Sequence, residues 1–297
     1  MRTLQYAVAI AFGLSSGLLA STASAQDSAT LKPFRDKSMI KIEYKAPTDK
    51  KLEPIYQRLK AREVLERLQA FLAPLRLPQP LNVVTAECGG QIELPYRPDA
   101  PVTICYEYVG LVEQVAPAGI GTVGQAAVTR DIALVGPFVQ FSLRSVARHI
   151  IDMLELPVWG NVEDAADSLA AFIMLEVSPQ VAQKTIFGAA YFLAKSGQTE
   201  QVDFAAIRPH IAQRYFNLLC IAVGSDLVRY SVFLPMDRPA GPVDLPKNRY
   251  GHCLQLSSPE HSEYNQIKYA FHQLIRDKHV DLPLLKQVRT IEWLVDD

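Results

Sequence analysis

Two pairs of charged residues stand at helical spacing within thirty positions of each other. Glu163 and Asp167 lie four apart in Asn161-Val162-Glu163-Asp164-Ala165-Ala166-Asp167, and Arg144 and Arg148 lie four apart in Leu143-Arg144-Ser145-Val146-Ala147-Arg148. Residues four apart share one face of an α-helix, so each pair can act on one target. Two carboxylates on one face of an otherwise apolar helix, with Ala165, Ala166, Leu169, Ala170, Phe172 and Ile173, are costly to bury without a cation opposite them. The chemistry this permits is cation binding, by a metal or by guanidinium groups. A solvated first turn, stabilised by the helix dipole, is the alternative that these four residues leave open.

Other reactive residue types give weaker patterns. His149 and Asp152 share a face and could hold a metal of their own, although a packed histidine is the simpler expectation. Ser145 has His149 one turn on, but a serine–histidine pair without an orienting acid or oxyanion donors does not make a hydrolase. His252, His261, His272 and His279 form no ligand spacing. Gly119-Ile120-Gly121-Thr122-Val123-Gly124 matches the dinucleotide-binding glycine pattern, yet no strand is expected before it and no acidic residue follows at the required offset. An interhelix loop is expected there instead.

These residues need elements to position them. Arg2 precedes an apolar run from Tyr6 to Ala20, followed by Ala23-Ser24-Ala25, the pattern of a cleavable signal peptide over residues 1–25. Polar, aperiodic residues 26–38 read as a mobile leader, and 39–297 as one domain. Met39 to Tyr44 alternates like a half-buried strand. Ile55, Leu59, Leu65, Leu68, Leu72 and Leu75 suggest one long amphipathic helix ending before Pro78. Leu81–Ala86 and Val102–Tyr106 read as neighbouring strands, and a helix should run from Glu107 to about Val115. From Val128 onward helical spacing dominates, with Asn161 as the N-cap of the helix carrying Glu163, and a last helix over Pro259–Asp277. Pro239–Pro246 reads as a Pro-rich loop.

The whole chain has 30 basic and 31 acidic residues, a formal charge of −1, which becomes −2 if residues 1–25 are removed with their single arginine. Such balance carries no electrostatic footprint for nucleic acid. After the signal segment no apolar stretch is long enough to span a bilayer. A periplasmic or secreted location follows, and there Cys88, Cys105, Cys220 and Cys253 should pair into two disulfides. Of three possible connectivities, Cys88–Cys105 with Cys220–Cys253 joins segments that look adjacent.

A wider set of segments occurs in a fixed order: Ala86-Glu87-Cys88, Ile104-Cys105-Tyr106-Glu107, Leu156-Pro157-Val158-Trp159-Gly160, Glu163-Asp164-Ala165-Ala166-Asp167, His210 with Gln213-Arg214-Tyr215-Phe216-Asn217, and Cys220 before Gly224-Ser225-Asp226. Together these segments, over residues 40–280, resemble a family of exported bacterial zinc-metallopeptidase-like proteins long catalogued as a domain of unknown function. The resemblance implies an α+β, predominantly helical, zincin-like fold with a small sheet and a central helix pair. It also implies zinc in active relatives, held by an H-E-x-x-H helix whose glutamate serves as general base. Glu163 matches the third ligand, Asp167 an acid that orients a ligand histidine, and His210 a histidine near the cleft.

Where that motif should stand, the sequence departs from the family. The two histidine positions fall on Arg144 and Arg148 and the base position on Ser145. Arginine stays protonated and offers no lone pair, and serine is a poor base near neutral pH. The segment Gln91-Ile92-Glu93-Leu94-Pro95 also departs from the family. No zinc is therefore expected. Arg144 and Arg148 should instead pair with Glu163 and Asp167 across the helix pair, two positive groups against two vestigial carboxylates. The expected function is that of a catalytically inactive homologue, a pseudoenzyme binding a peptide or protein in the former cleft. The alternatives are a hydrolase whose rearranged metal site uses Glu163, Asp167, His149 or His210, and a disulfide-stapled structural periplasmic domain.

Overall fold

A computed structural model describes residues 37–197, 203, 205–206, 209–235, 244–254 and 262–288. The expected signal segment 1–25, nearly all of the expected leader, His261 and most of Pro239–Pro246 lie outside the described residues. The chain forms an α+β fold in which helices predominate, with a three-stranded sheet at one side. None of the described helices is long and apolar enough to cross a membrane.

The sheet consists of β1 (Ile40–Tyr44), β2 (Leu81–Ala86) and β3 (Val102–Cys105), all parallel, in the order β1-β2-β3. Parallel neighbours need a crossover. Between β1 and β2 it is made by α1 (Glu53–Ala61) and α2 (Val64–Leu72), where one long helix was expected. The break has a reason in the spacing. Leu59 and Leu65 are six residues apart, so on a continuous helix their side chains would diverge by about 240° as counted around the axis. Glu63 adopts left-handed backbone angles, φ 48°, and resets the phase so that both leucines are buried.

The chain leaves β2 through the segment 87–101 and returns as β3, and the Cys88–Cys105 disulfide joins the two ends. Helix α3 (Tyr106–Val115) starts directly from β3. Tyr106, fully buried, donates its hydroxyl hydrogen bond to the Lys45 carbonyl at 2.6 Å. The glycine-rich stretch at 119–124 is not a plain loop: β4 (Gly121–Val123) and β5 (Ala126–Val128) make an antiparallel hairpin. Gly124, φ 55°, supplies the turn. Three-residue strands are too short for alternation to register in the sequence, although Val123, Ala126 and Val128 all point inward.

Helix α4 (Arg130–Met153) is the axis of the molecule, capped by the Thr129 hydroxyl, which accepts from the Ile132 amide at 3.4 Å. It packs on α5 (Val162–Leu175) and crosses α6 (Pro179–Ser196) where Gly136 meets Gly188. Asn161 caps α5 by accepting from the Glu163 amide at 2.8 Å. Helix α7 (Ile211–Ser225) lies against both α5 and α6, and the Cys220–Cys253 disulfide ties it to α8 (Lys247–Leu254). The helix expected over Pro259–Asp277 begins at Glu263 as α9 (Glu263–Phe271) and passes through a π-turn at His272–Arg276. It is not the last element, since α10 (Leu282–Val288) follows.

Candidate functional site

Arg144 occupies the centre of α4 and is 2 % exposed. Its guanidinium faces three carboxylates. Nη1 donates to Glu93 Oε1 at 2.6 Å, Nη2 donates to Glu163 Oε2 at 2.5 Å, and Nε lies 3.3 Å from Asp167 Oδ1. Arginine suits this position because its planar fork carries donors in several directions and keeps its charge when buried.

Asp167, on the buried face of α5, is shared more widely. Its oxygens accept from Gln140 Nε2 at 2.8 Å and, as a bidentate pair, from Arg214 Nε at 2.7 Å and Nη2 at 2.9 Å. Arg214 stands on α7, so one carboxylate ties α4, α5 and α7 together. Burial works against the Arg214 charge, but the Asp167 carboxylate, through its charge and its hydrogen bonds, and the Glu93 charge outweigh it and hold the guanidinium above its ordinary pKa.

Arg148 sits one turn after Arg144 and is largely buried, its side chain 15 % exposed. Its Nε is 3.3 Å from Glu163 Oε1, its Nη1 is 3.2 Å from Asp152 Oδ1, and its guanidinium carbon lies 3.7 Å above the Tyr96 ring. Tyr96 donates its hydroxyl hydrogen bond to Asp152 Oδ2 at 2.6 Å. That bond, and then Arg148, hold the Asp152 carboxyl below its ordinary pKa against the opposing effect of burial. Asp164 behaves in the opposite way. Burial, and then the neighbouring Asp167 charge, push its carboxyl up, and its Oδ1 is buried without a hydrogen-bond partner.

The structure thus brings Arg144, Arg148, Glu163 and Asp167 into one buried cluster, and adds Arg214, Glu93 and Gln140, which sequence reasoning did not place there, with Asp152 exposed at its rim. The charge count of two against two is too small: three guanidiniums meet four carboxylates. Glu93 lies in the stretch that departs from the family pattern, and Arg214 stands four residues after His210 in a segment noted for its histidine. The acids on α5 called for cations, but Arg144 and Arg148 already answered that demand, so no signal in the sequence singled out Arg214.

The histidines stand apart from the cluster. His149 has Nδ1 2.9 Å from the Ser145 carbonyl and Nε2 3.2 Å from the Ala100 carbonyl, so both ring nitrogens face backbone oxygens. His210 caps α7, its Nδ1 accepting from the Ala212 amide at 3.2 Å. Ser145, at the base position, lines a cavity of about 410 Å³ with Tyr96, Pro101, Thr103, Arg148 and Glu163. A second cavity of about 460 Å³ lies beyond Tyr96 and His149, lined by Asn82, Asp99 and Asp152.

Zinc does not fit this donor set. Structural and catalytic zinc sites use imidazole, thiolate or carboxylate atoms converging on one point. Here both Glu163 oxygens and both Asp167 oxygens face guanidinium groups. Among the described residues the only three potential ligand atoms close enough together belong to Cys88, Cys105 and Glu107, where the two sulfurs are bonded to each other.

A family model named DUF4344 and described as "Putative metallopeptidase" matches residues 44–275, well over half of the chain and all of the elements that carry the cluster. No curated protein and no solved structure matches.

Proposed function

The chain belongs to the Putative metallopeptidase family, and from that premise we propose that it is an exported, non-catalytic member of it that holds a peptide or protein segment in the cleft beside α4. The observation that carries this reading is the position of Arg144. A permanently charged guanidinium, 2 % exposed and facing Glu93, Glu163 and Asp167, stands where the resemblance places a zinc-binding histidine. A second cation entering the same carboxylates would have to break hydrogen bonds of the charge-assisted kind, the strongest that neutral-pH side chains make.

Loss of zinc does not empty the cleft of recognition chemistry. The 410 Å³ cavity keeps the Ser145 and Thr103 side chains, an aromatic wall at Tyr96 and the Arg148 charge. That mixture of apolar lining and a few polar groups is what pockets for small ligands present, and one or two side chains of a peptide are ligands of that size. The two disulfides support the exported part of the reading, since they persist in oxidising compartments. The signal peptide over residues 1–25 and a periplasmic or secreted location belong to the same proposal.

The test is metal content by elemental mass spectrometry on the chain from residue 26, purified without chelator and dialysed against zinc, beside a variant carrying Arg144→His, Ser145→Glu and Arg148→His. The natural chain should hold no stoichiometric zinc, and the triple variant about one per chain, because Glu163 is then freed to ligate. Stoichiometric zinc in the natural chain overturns the reading and points to a peptidase assay.

A further inference from the structure

The connection from β2 to β3 is a loop closed on itself. The Cys88–Cys105 disulfide joins its two roots across a sequence separation of 17. The Glu107 carboxylate fixes the first root again, accepting from the Cys88 amide at 2.9 Å and the Gly90 amide at 2.9 Å. Gly89 and Gly90 then turn the chain with φ values of 63° and 87°, open to glycine and strained for other residues.

Beyond that turn, residues 91–101 run across α4. Their backbone hydrogen bonds include the local pair Gln91 to Cys88 at 3.3 Å and Ala100 to Arg97 at 3.2 Å, neither reaching the helix. What fastens the segment to α4 is a row of side-chain contacts. Glu93 takes Arg144, the Tyr96 ring covers Arg148, the Tyr96 hydroxyl takes Asp152, and the Ala100 carbonyl faces His149. These four points follow one stripe of α4, positions 144, 148, 149 and 152. Pro95, Pro98 and Pro101 stiffen the segment, so it would move as a unit.

The segment is also a wall. Tyr96, Ala100, Pro101 and His149 line both the 410 Å³ and the 460 Å³ cavities. Lifting it would merge the two into one groove along α4.

We propose that residues 91–101 are a strap that opens and closes over the cleft, tethered by the Cys88–Cys105 disulfide and latched by Arg144, Arg148, His149 and Asp152. The proposal rests on the binding reading above only for what passes beneath the strap.

The experiment is hydrogen–deuterium exchange on the oxidised chain from residue 26, comparing the natural sequence with Glu93→Gln and with Tyr96→Ala. Tyr96→Ala removes two latch contacts made by the strap and Glu93→Gln takes the charge out of a third, and both leave the α4 side of the latch intact. Amides of 91–100 should exchange about tenfold faster in each variant, while α4 and β2 keep their rates, because one lost charge-assisted contact shifts a local opening by about that factor. Unchanged strap rates in both variants overturn the proposal. Equal acceleration through α4 overturns it as well, because that is unfolding of the helix and not release of a strap. A pool of random-sequence decapeptides is then added to each protein. Faster association with Glu93→Gln, which keeps the Tyr96 wall of the cavity, supports strap and binding together. An opened strap with no association in any variant supports the strap and sinks the peptide reading.

Discussion

Arg144 on α4 donates to Glu163 on α5 at 2.5 Å, with the arginine side chain 2 % and the glutamate 12 % exposed. The pair is therefore a buried ionic contact, and its worth is asymmetric. Assembling it costs desolvation on both sides, whereas removing one partner leaves a charge in a medium that cannot solvate it. We expect Glu163→Ala to lower unfolding stability by roughly 3–5 kcal/mol in urea denaturation, since it strips the shared acid from both Arg144 and Arg148. Arg144→Met should cost at least as much, because it exposes Glu93, Glu163 and Asp167 to one another. A loss near zero for Glu163→Ala would mean that the cluster is solvated.

Asp164 lies next to that cluster and works against it. Its carboxyl is pushed up by burial and by the Asp167 charge, and its Oδ1 has no hydrogen-bond partner. A carboxyl whose pKa rises on folding binds its proton more tightly in the folded state. Its stabilising contribution is full below the unfolded value, about 4, and is lost as pH rises through the folded value. At neutral pH the ionised group is a cost. Asp164→Asn should raise the melting temperature at pH 7, and the gain should shrink towards zero as the pH falls below about 4. Calorimetry across that range checks the sign. A stabilisation independent of pH would show that charge is not the cause.

Much of the frame was legible in the sequence because it rests on local chemistry. Asn161 before Glu163 gave the start of α5, the run Leu81–Ala86 gave β2 to the residue, and cysteine order gave both disulfides. The break at Glu63 and the hairpin at 121–128 were missed because backbone reversals depend on phase and on φ at single residues, which propensity averages over. The centre of the site was partly legible. Helical spacing alone put Arg144 with Arg148 and Glu163 with Asp167, but Arg214, 47 positions from Asp167, and Glu93, 51 positions from Arg144, come from elements whose approach is a tertiary event. No periodicity within a segment encodes such contacts. What the sequence did carry was an acidic helix face that called for cations, and the two arginines in view balanced Glu163 and Asp167 without a third.

The α4–α6 crossing sets where α4 stands, and with it Gln140, Arg144 and Arg148 of the cluster. A Cβ at Gly188 would lie 1.9 Å from the Ile132 carbonyl oxygen, and one at Gly136 would lie 2.5 Å from the Ala189 nitrogen. Both obstacles are backbone, so no side-chain rotation relieves them. Gly188→Ala must push the helices apart, at a cost of about 3 kcal/mol or more, the upper range for overpacking. The displacement should also loosen the Arg144 hydrogen bonds, so that exchange at the α5 amides near Glu163 rises along with the loss in global stability. A Gly188→Ala protein with unaltered denaturation would mean that the two helices are not in backbone contact.

The two disulfides offer a comparison in one molecule. Closing a loop restricts the unfolded chain by an amount that grows with the logarithm of loop length, so separations of 17 and 33 residues correspond to about 3 and about 4 kcal/mol. Cys88→Ala with Cys105→Ala should therefore cost slightly less global stability than Cys220→Ala with Cys253→Ala. Their local effects should differ in kind. The second pair ties α7 to α8, and its loss should be felt at the packing of both helices. Loss of the first pair leaves Glu107 alone to hold the root of the 91–101 segment, and exchange there should accelerate while α7 is unaffected. Equal acceleration of both regions in both variants would mean that the bridges act only on the unfolded chain, with no local restraint in the folded one.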